Sequence, residues 1–139
     1  MAKARKDNKG RNLQKGEGQR KDGRYYFQYK DIFGKSKVVY SWNLADLREK
    51  EIEQKLVTEV KRCGGICPKF VSPGFDGMPD RLVLLPKGRF AFVEVKAPGE
   101  KPRPLQNARH KLLRKLGFSV YVLDGMEQIG GILDEIQST

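Results

Sequence analysis

Near the N-terminus, apolar and polar residues alternate in short runs; further along, apolar residues recur at helical spacing. Arg24-Tyr-Tyr-Phe-Gln-Tyr29 and Lys35-Ser-Lys-Val-Val-Tyr-Ser-Trp42 are rich in β-branched and aromatic residues, which suit a pleated, half-buried surface. Lys21-Asp-Gly23 and Asp31-Ile-Phe-Gly34 supply the Asp and Gly that tight turns use. Glu17 to Arg20 adds a short leading strand, and the whole predicts a three-stranded antiparallel meander. Successive side chains on a strand point to opposite faces. Arg24, Tyr26 and Gln28 therefore share one face, and Tyr25, Phe27 and Tyr29 the other. The aromatic face needs cover, and the helix that follows is the nearest candidate.

After this the period changes. Ile52, Leu56, Val57, Val60 and Cys63 form the apolar stripe of a helix running from Asp46 to Cys63. Asp46 is the expected N-cap, with Glu49 completing a capping box, and Gly64-Gly65 ends the helix. Ile66–Val71, Asp80–Leu85, Arg89–Lys96 and Ser119–Asp124 read as strands. Pro102-Arg103-Pro104 opens a second helix with Leu105, Ala108, Leu112, Leu113 and Leu116 as its apolar residues and Gly117 as its stop. Met126–Ile136 reads as a short last helix, weakened by Gly130-Gly131. The order after the meander is αβββαβα.

One hairpin places chemistry. A three-residue turn centred on Lys87 makes the numbers of directly paired residues add to 174. Asp80 then lies opposite Glu94, on the same face, with Cβ atoms ~5 Å apart. Two carboxylates so close repel each other unless a cation sits between them. Lys96, two residues beyond Glu94, projects from that same face. Leu82, Phe90 and Phe92 share the face toward the turn, so the polar end borders a core. A one-residue slip in register would undo the arrangement.

Charge divides the chain. The 139 residues hold 28 Lys+Arg against 17 Asp+Glu, a net of +11. Residues 1–40 hold 12 basic and 4 acidic side chains, a net of +8, and the other 99 residues a net of +3. The excess belongs to the first quarter, and a local excess of this kind favours a polyanion such as nucleic acid. Residues 1–15 have almost no apolar side chains and are expected to be disordered alone. No run approaches the ~18 apolar residues of a membrane span, and the basic N-terminus lacks a signal-peptide core. A cytoplasmic protein with no membrane partner is expected. Cys63 and Cys67 are too few for a disulfide scaffold, and they lack the two further ligands of a structural zinc site. His110 is the single histidine, which excludes any multi-histidine centre.

Two resemblances sharpen this. Gly10–Tyr29, with Gln19-Arg-Lys-Asp-Gly-Arg-Tyr25 its most specific part, then Phe33-Gly34 and Val39-Tyr-Ser-Trp42, resembles the N-terminal arm-site DNA-binding domain of tyrosine-recombinase integrases from conjugative transposons. Arg48-Glu-Lys50 fits the start of that family's helix. The resemblance implies a three-stranded sheet in the DNA major groove, a groove that admits a β-ribbon. It implies Arg20, Lys21, Arg24, Tyr26, Gln28, Lys37 and Tyr40 as the DNA-facing set. The chain departs from that family in its short connection to the helix and in having no recombinase catalytic domain.

Pro79-Asp80, then Glu94-Val95-Lys96, matches the PD-(D/E)XK nuclease signature. Its wider context, Lys69 to Pro86 and Phe92 to His110, resembles the VRR-NUC nucleases, the small stand-alone phage type in particular. The likeness runs from about Glu49 to Ile136 and implies a restriction-endonuclease-like αβββαβ(α) core. It implies a Mg²⁺ site, with Mn²⁺ able to substitute, on Asp80, Glu94 and the Val95 carbonyl. A carboxylate of the first helix completes that site: Glu53 first, by its spacing before Gly64, then Glu49 and Glu51. It implies Lys96 as the group that orients the attacking water and stabilises the phosphorane, and Gln106 as an orienting residue. Arg103 is an expected DNA contact, and His110 a DNA or structural contact rather than a general base. Hard cations prefer such oxygen ligands.

The expected organisation is a basic tail (1–15), an integrase-type three-stranded sheet (16–45) and a nuclease domain (46–139) in one α/β chain. The resemblance implies a metal-dependent DNA endonuclease, structure-specific for Holliday junctions or other branched DNA, with duplex or branched DNA as its partner and a homodimer as its assembly. The competing classes are a non-catalytic DNA-binding accessory factor of a phage or integrative element and a basic RNA-binding or ribosome-associated protein. The carboxylate–lysine constellation argues against both.

Overall fold

The computed structural model describes residues 5–139. The meander forms as its pattern requires: β1 (Glu17–Gln19), β2 (Tyr25–Lys30) and β3 (Ser36–Ser41) make one antiparallel sheet. Its aromatic face packs on α1 (Leu44–Arg62), where Tyr25 is buried with Leu44 and Leu47, and Phe27 and Val39 close around them. Helix α1 starts two residues earlier than expected. Asn43, not Asp46, is the N-cap, and its side chain accepts from the Asp46 N–H at 3.2 Å. Asp46 instead accepts from the Ser41 hydroxyl at 2.7 Å, which ties the helix to β3.

The stretch expected to be a disordered tail is folded from Arg5 onward; residues 1–4 lie outside the described residues. Asp7 is the reason. Its carboxylate accepts from the backbone N–H groups of Lys9 and Arg11, from the Arg11 guanidinium at 2.8 Å and from the Tyr25 hydroxyl at 2.7 Å. These bonds hold the Asp7 carboxyl well below the usual carboxylate range, against the opposing effect of desolvation. A polar knot on a core tyrosine replaces the apolar burial that the segment lacks.

The second sheet has the order β4 (Arg81–Leu85), β5 (Arg89–Val95), β6 (Val120–Leu123), with β5 central, antiparallel to β4 and parallel to β6. The hairpin has the expected register, Leu85 opposite Arg89 and Arg81 opposite Val93. Its turn takes Lys87 and Gly88 to φ of 69° and 71°. The segment expected as a strand over Ile66–Val71 makes only two bridges to β4, at Ile66 and Lys69. Pro68 between them has no N–H to donate.

One face of this sheet (Val83, Leu85, Ala91, Val93, Val95) packs on Ile52, Leu56 and Val60 of α1 and on Ile129, Leu133 and Ile136 of α3 (Ile129–Ser138). The other face packs on α2 (Pro104–Lys115) through Phe92, Leu113 and Val120. Helix α2 reverses expectation. Of its predicted stripe only Leu113 is buried, and Leu105, Leu112 and Leu116 are exposed. Its buried side carries Gln106 and His110, because it meets the polar end of the hairpin face. No helix among the described residues is long and apolar enough to cross a membrane.

Candidate active site and nucleic-acid interface

Asp80 is the last residue before β4, and Glu94 the penultimate residue of β5. The Val95 N–H donates to Asp80 Oδ1 at 3.0 Å, so the strand pairing that sets the register also fixes the aspartate. Val95 thus meets Asp80 through its N–H. Glu94 is only 2% exposed. Burial, and then the Asp80 charge, push its carboxyl up to about 7. Burial raises the Asp80 carboxyl too, against the Val95 hydrogen bond. Lys96 Nζ stands 3.9 Å from Glu94 Oε2.

From the other side, His110 Nε2 reaches Glu94 Oε1 at 3.4 Å. His110 is 1% exposed. Desolvation, aided by Arg114 and Lys96, lowers its pKa, which favours the neutral ring. A ring this buried cannot touch DNA in this fold, which removes His110 from the expected DNA contacts; it braces Glu94. Gln106 is also buried, and its Oε1 accepts from the Arg103 N–H at 2.8 Å, closing the N-terminus of α2. Arg103 is exposed beside the site, near enough for its charge to favour the ionised Glu94.

The three helix carboxylates part company. Glu53 Oε1 accepts from Arg81 Nη2 at 2.8 Å, and Arg81 also donates to the Cys67 carbonyl at 2.7 Å. Arg81 sits next to Asp80 in sequence but on the opposite sheet face, and nothing in the motif singles it out. Glu49 lies within charge contact of Lys96 and Asp80, and burial raises its carboxyl. Glu51 turns away from this site into contact with Glu17 of the first sheet. Among the described residues no three acidic, histidine or cysteine side chains are gathered into a ready-made ligand set. Asp80 and Glu94 remain a desolvated, mutually repelling oxygen pair, the donor chemistry that a hard divalent cation relieves.

On the first sheet, Tyr26 lies directly opposite Tyr40, and Gln28 opposite Val38. The Arg24 guanidinium stacks over the Tyr40 ring at 4.5 Å and near the Trp42 ring at 5.9 Å. Trp42 is 67% exposed. Lys37 is paired with Tyr29, so it belongs to the helix side of the sheet and cannot join Tyr26 and Tyr40 on the outer face. Arg20 and Lys21 are exposed in the β1–β2 turn. Gly18 is paired with Tyr26, whose ring lies where a Gly18 side chain would be. Gly18→Ala should swing that ring aside and lower DNA affinity severalfold without changing the melting temperature by more than ~2 °C, read by fluorescence anisotropy and thermal denaturation.

Residues 1–58 match the family model for the DNA-binding domain of Tn916 integrase. A transposase from transposon Tn1545 of Streptococcus pneumoniae is 59% identical over 44 residues, 32% of this chain but 11% of that protein. A protein of Acyrthosiphon pisum secondary endosymbiont phage 1, named as a nuclease, p44, is 57% identical over 81 residues, 58% of this chain and 87% of its own length. A solved VRR-NUC domain superposes with a TM-score of 0.59 at 32% identity, covering 63% of this chain and 95% of that domain.

Proposed function

The chain belongs to the VRR-NUC nucleases and carries an integrase-type DNA-binding domain ahead of its nuclease fold; from this we propose that it is a divalent-cation-dependent endonuclease that cuts branched DNA, four-way junctions above all. The observation that carries the proposal is the half-buried Asp80 beside the buried Glu94, with Lys96 next to them. Asp80, Glu94 and the Val95 carbonyl would hold Mg²⁺, or Mn²⁺ in its place, which supplies charge neutralisation and an acidified water. Lys96 donates to the attacking water or to a non-bridging phosphate oxygen and offsets the charge that builds on the phosphorane. His110 and the Val95 N–H keep the two carboxylates from turning away. Gln106 holds the start of α2, and with it Arg103, against the site. Glu49 and Glu53 are the helix carboxylates that border the pair. A two-fold dimer would bring two such sites to the symmetric strands of a junction.

The test compares four-way, flapped and linear DNA of equal length with Mg²⁺, with Mn²⁺ and with EDTA. Cleavage should require the cation and favour the four-way junction. Cutting that persists in EDTA, or that treats linear duplex equally, rejects the corresponding part of the proposal. In the same assay Glu53→Gln and Glu49→Gln identify the helix ligand, since the true one should weaken cation affinity and the other should not. Lys21→Ala, in the exposed β1–β2 turn, should also make binding less salt-dependent, reducing the slope of log affinity against log salt by about one.

A further inference from the structure

Helix α1 belongs to both halves of the molecule. Its first turn, Leu44 and Leu47, completes the core under the DNA-binding sheet. Further along, Ile52, Leu56 and Val60 complete the nuclease core. Only Trp42 and Asn43 separate β3 from this helix, so no linker lets the sheet turn independently. Four side-chain bonds reinforce the join. Asp46 accepts from Ser41 at 2.7 Å, and Lys50 donates to the Tyr40 carbonyl at 2.9 Å. Arg48 pairs with the fully buried Glu17 at 3.2 Å, and the Tyr29 hydroxyl donates to Gln54 at 3.1 Å.

The direction of these contacts matters as much as their number. At ~100° per residue, Asp46, Glu49, Lys50 and Glu53 fall within about one-third of the helix circumference. Asp46 and Lys50 hold the β3 edge that carries Tyr40, while Glu49 and Glu53 border the carboxylate pair. Asp46 to Glu53 spans ~10 Å along the axis. The β3 edge of the first sheet and the carboxylate pair therefore lie on the same side of α1, about two helical turns apart.

We infer that the first sheet is a ruler for the nuclease: it holds duplex DNA by sequence and fixes the cut at one distance, within about ten base pairs (one duplex turn), of the bases it holds. This deepens the nuclease reading and rests on it. The residues that set the distance are the α1 bonds, and those that set the sequence are Arg24, Tyr26, Gln28 and Tyr40.

The test uses the full chain on four-way junctions whose arms are randomised near the branch, with the cut ends sequenced. One motif should appear at a constant spacing from the cut, and Arg24→Ala together with Tyr26→Ala should erase it from the cut ends. Cut ends with no motif at constant spacing, or a motif that the double variant keeps, overturn the inference. A second measurement works even if nothing is cut. The Lys96→Ala chain is bound to the same library, its preferred sequence selected, and the complex footprinted with an exonuclease. Protection should extend from the motif to one side only, for no more than about ten base pairs. Protection limited to the motif, or symmetric about it, overturns the ruler. Absence of cleavage alongside one-sided protection would reject the nuclease reading and leave the geometry standing.

Discussion

Lys96→Ala should lower the single-turnover rate of junction cleavage by roughly 100- to 1,000-fold, while junction affinity changes by less than about threefold. The ammonium lies 3.9 Å from Glu94 and its side chain is 15% exposed, so it is desolvated enough for its charge to count. It stands beside the buried Glu94 and the half-buried Asp80, where negative charge must build further during attack on a phosphodiester. Losing it removes an interaction that strengthens in the transition state, which lowers the rate more than the affinity. Affinity is set elsewhere, mostly by the basic first quarter of the chain. Single-turnover kinetics on pre-bound junction and a separate binding titration measure the two effects. A variant that still cuts within tenfold of the parent would remove Lys96 from the chemistry.

Glu51→Gln should stabilise the protein, and increasingly so as pH rises. Glu17 is fully buried and accepts from Arg48 twice, at 3.2 Å, and from the Gln14 N–H at 2.7 Å. Glu51 of α1 faces it, and its Oε2 has no donor among the described residues. Burial, together with its contact with Glu17, pushes the Glu51 carboxyl up to about 9, while the donors around Glu17 hold that group ionised. At neutral pH the folded pair shares one proton, carried on Glu51.

The sign follows from linkage. Unfolded, Glu51 loses its proton near the ordinary value of 4.5; folded, near 9. Folding therefore takes up a proton throughout that interval, and the contribution of Glu51 to stability falls steadily as pH climbs from about 4.5 to about 9. Glutamine is neutral at every pH and keeps a donor toward Glu17. The melting temperature of Glu51→Gln should match the parent near pH 4.5 and exceed it by about 4 °C or more at pH 8. A gap that stays constant with pH, or a less stable variant at pH 8, would refute the shared proton.

Much of the candidate site follows from local rules. Turn length and strand alternation are short-range properties. Together they bring Asp80, Glu94 and Lys96 to one face from the sequence alone, in the register observed. The meander and the burial of its aromatic face follow in the same way. Lys37 was legible too: three residues from Tyr40 on one strand, it must point to the other face.

Other features depend on what each element meets. Leu105, Leu112 and Leu116 read as the buried stripe of α2, yet the helix turns Gln106 and His110 inward, because the sheet end it covers carries a buried carboxylate that needs a polar neighbour. Glu53 reads as a free ligand until the fold brings Arg81 to it from across 28 positions. The first residues read as a disordered tail until Tyr25 offers Asp7 a hydroxyl. Ile66–Val71 apart, the sequence by itself located the strands and helices to within about three residues of their ends, because propensity and periodicity act over a few residues. Only the tertiary structure decided which polar groups are paired, because those choices depend on desolvation and on partners far apart in the chain.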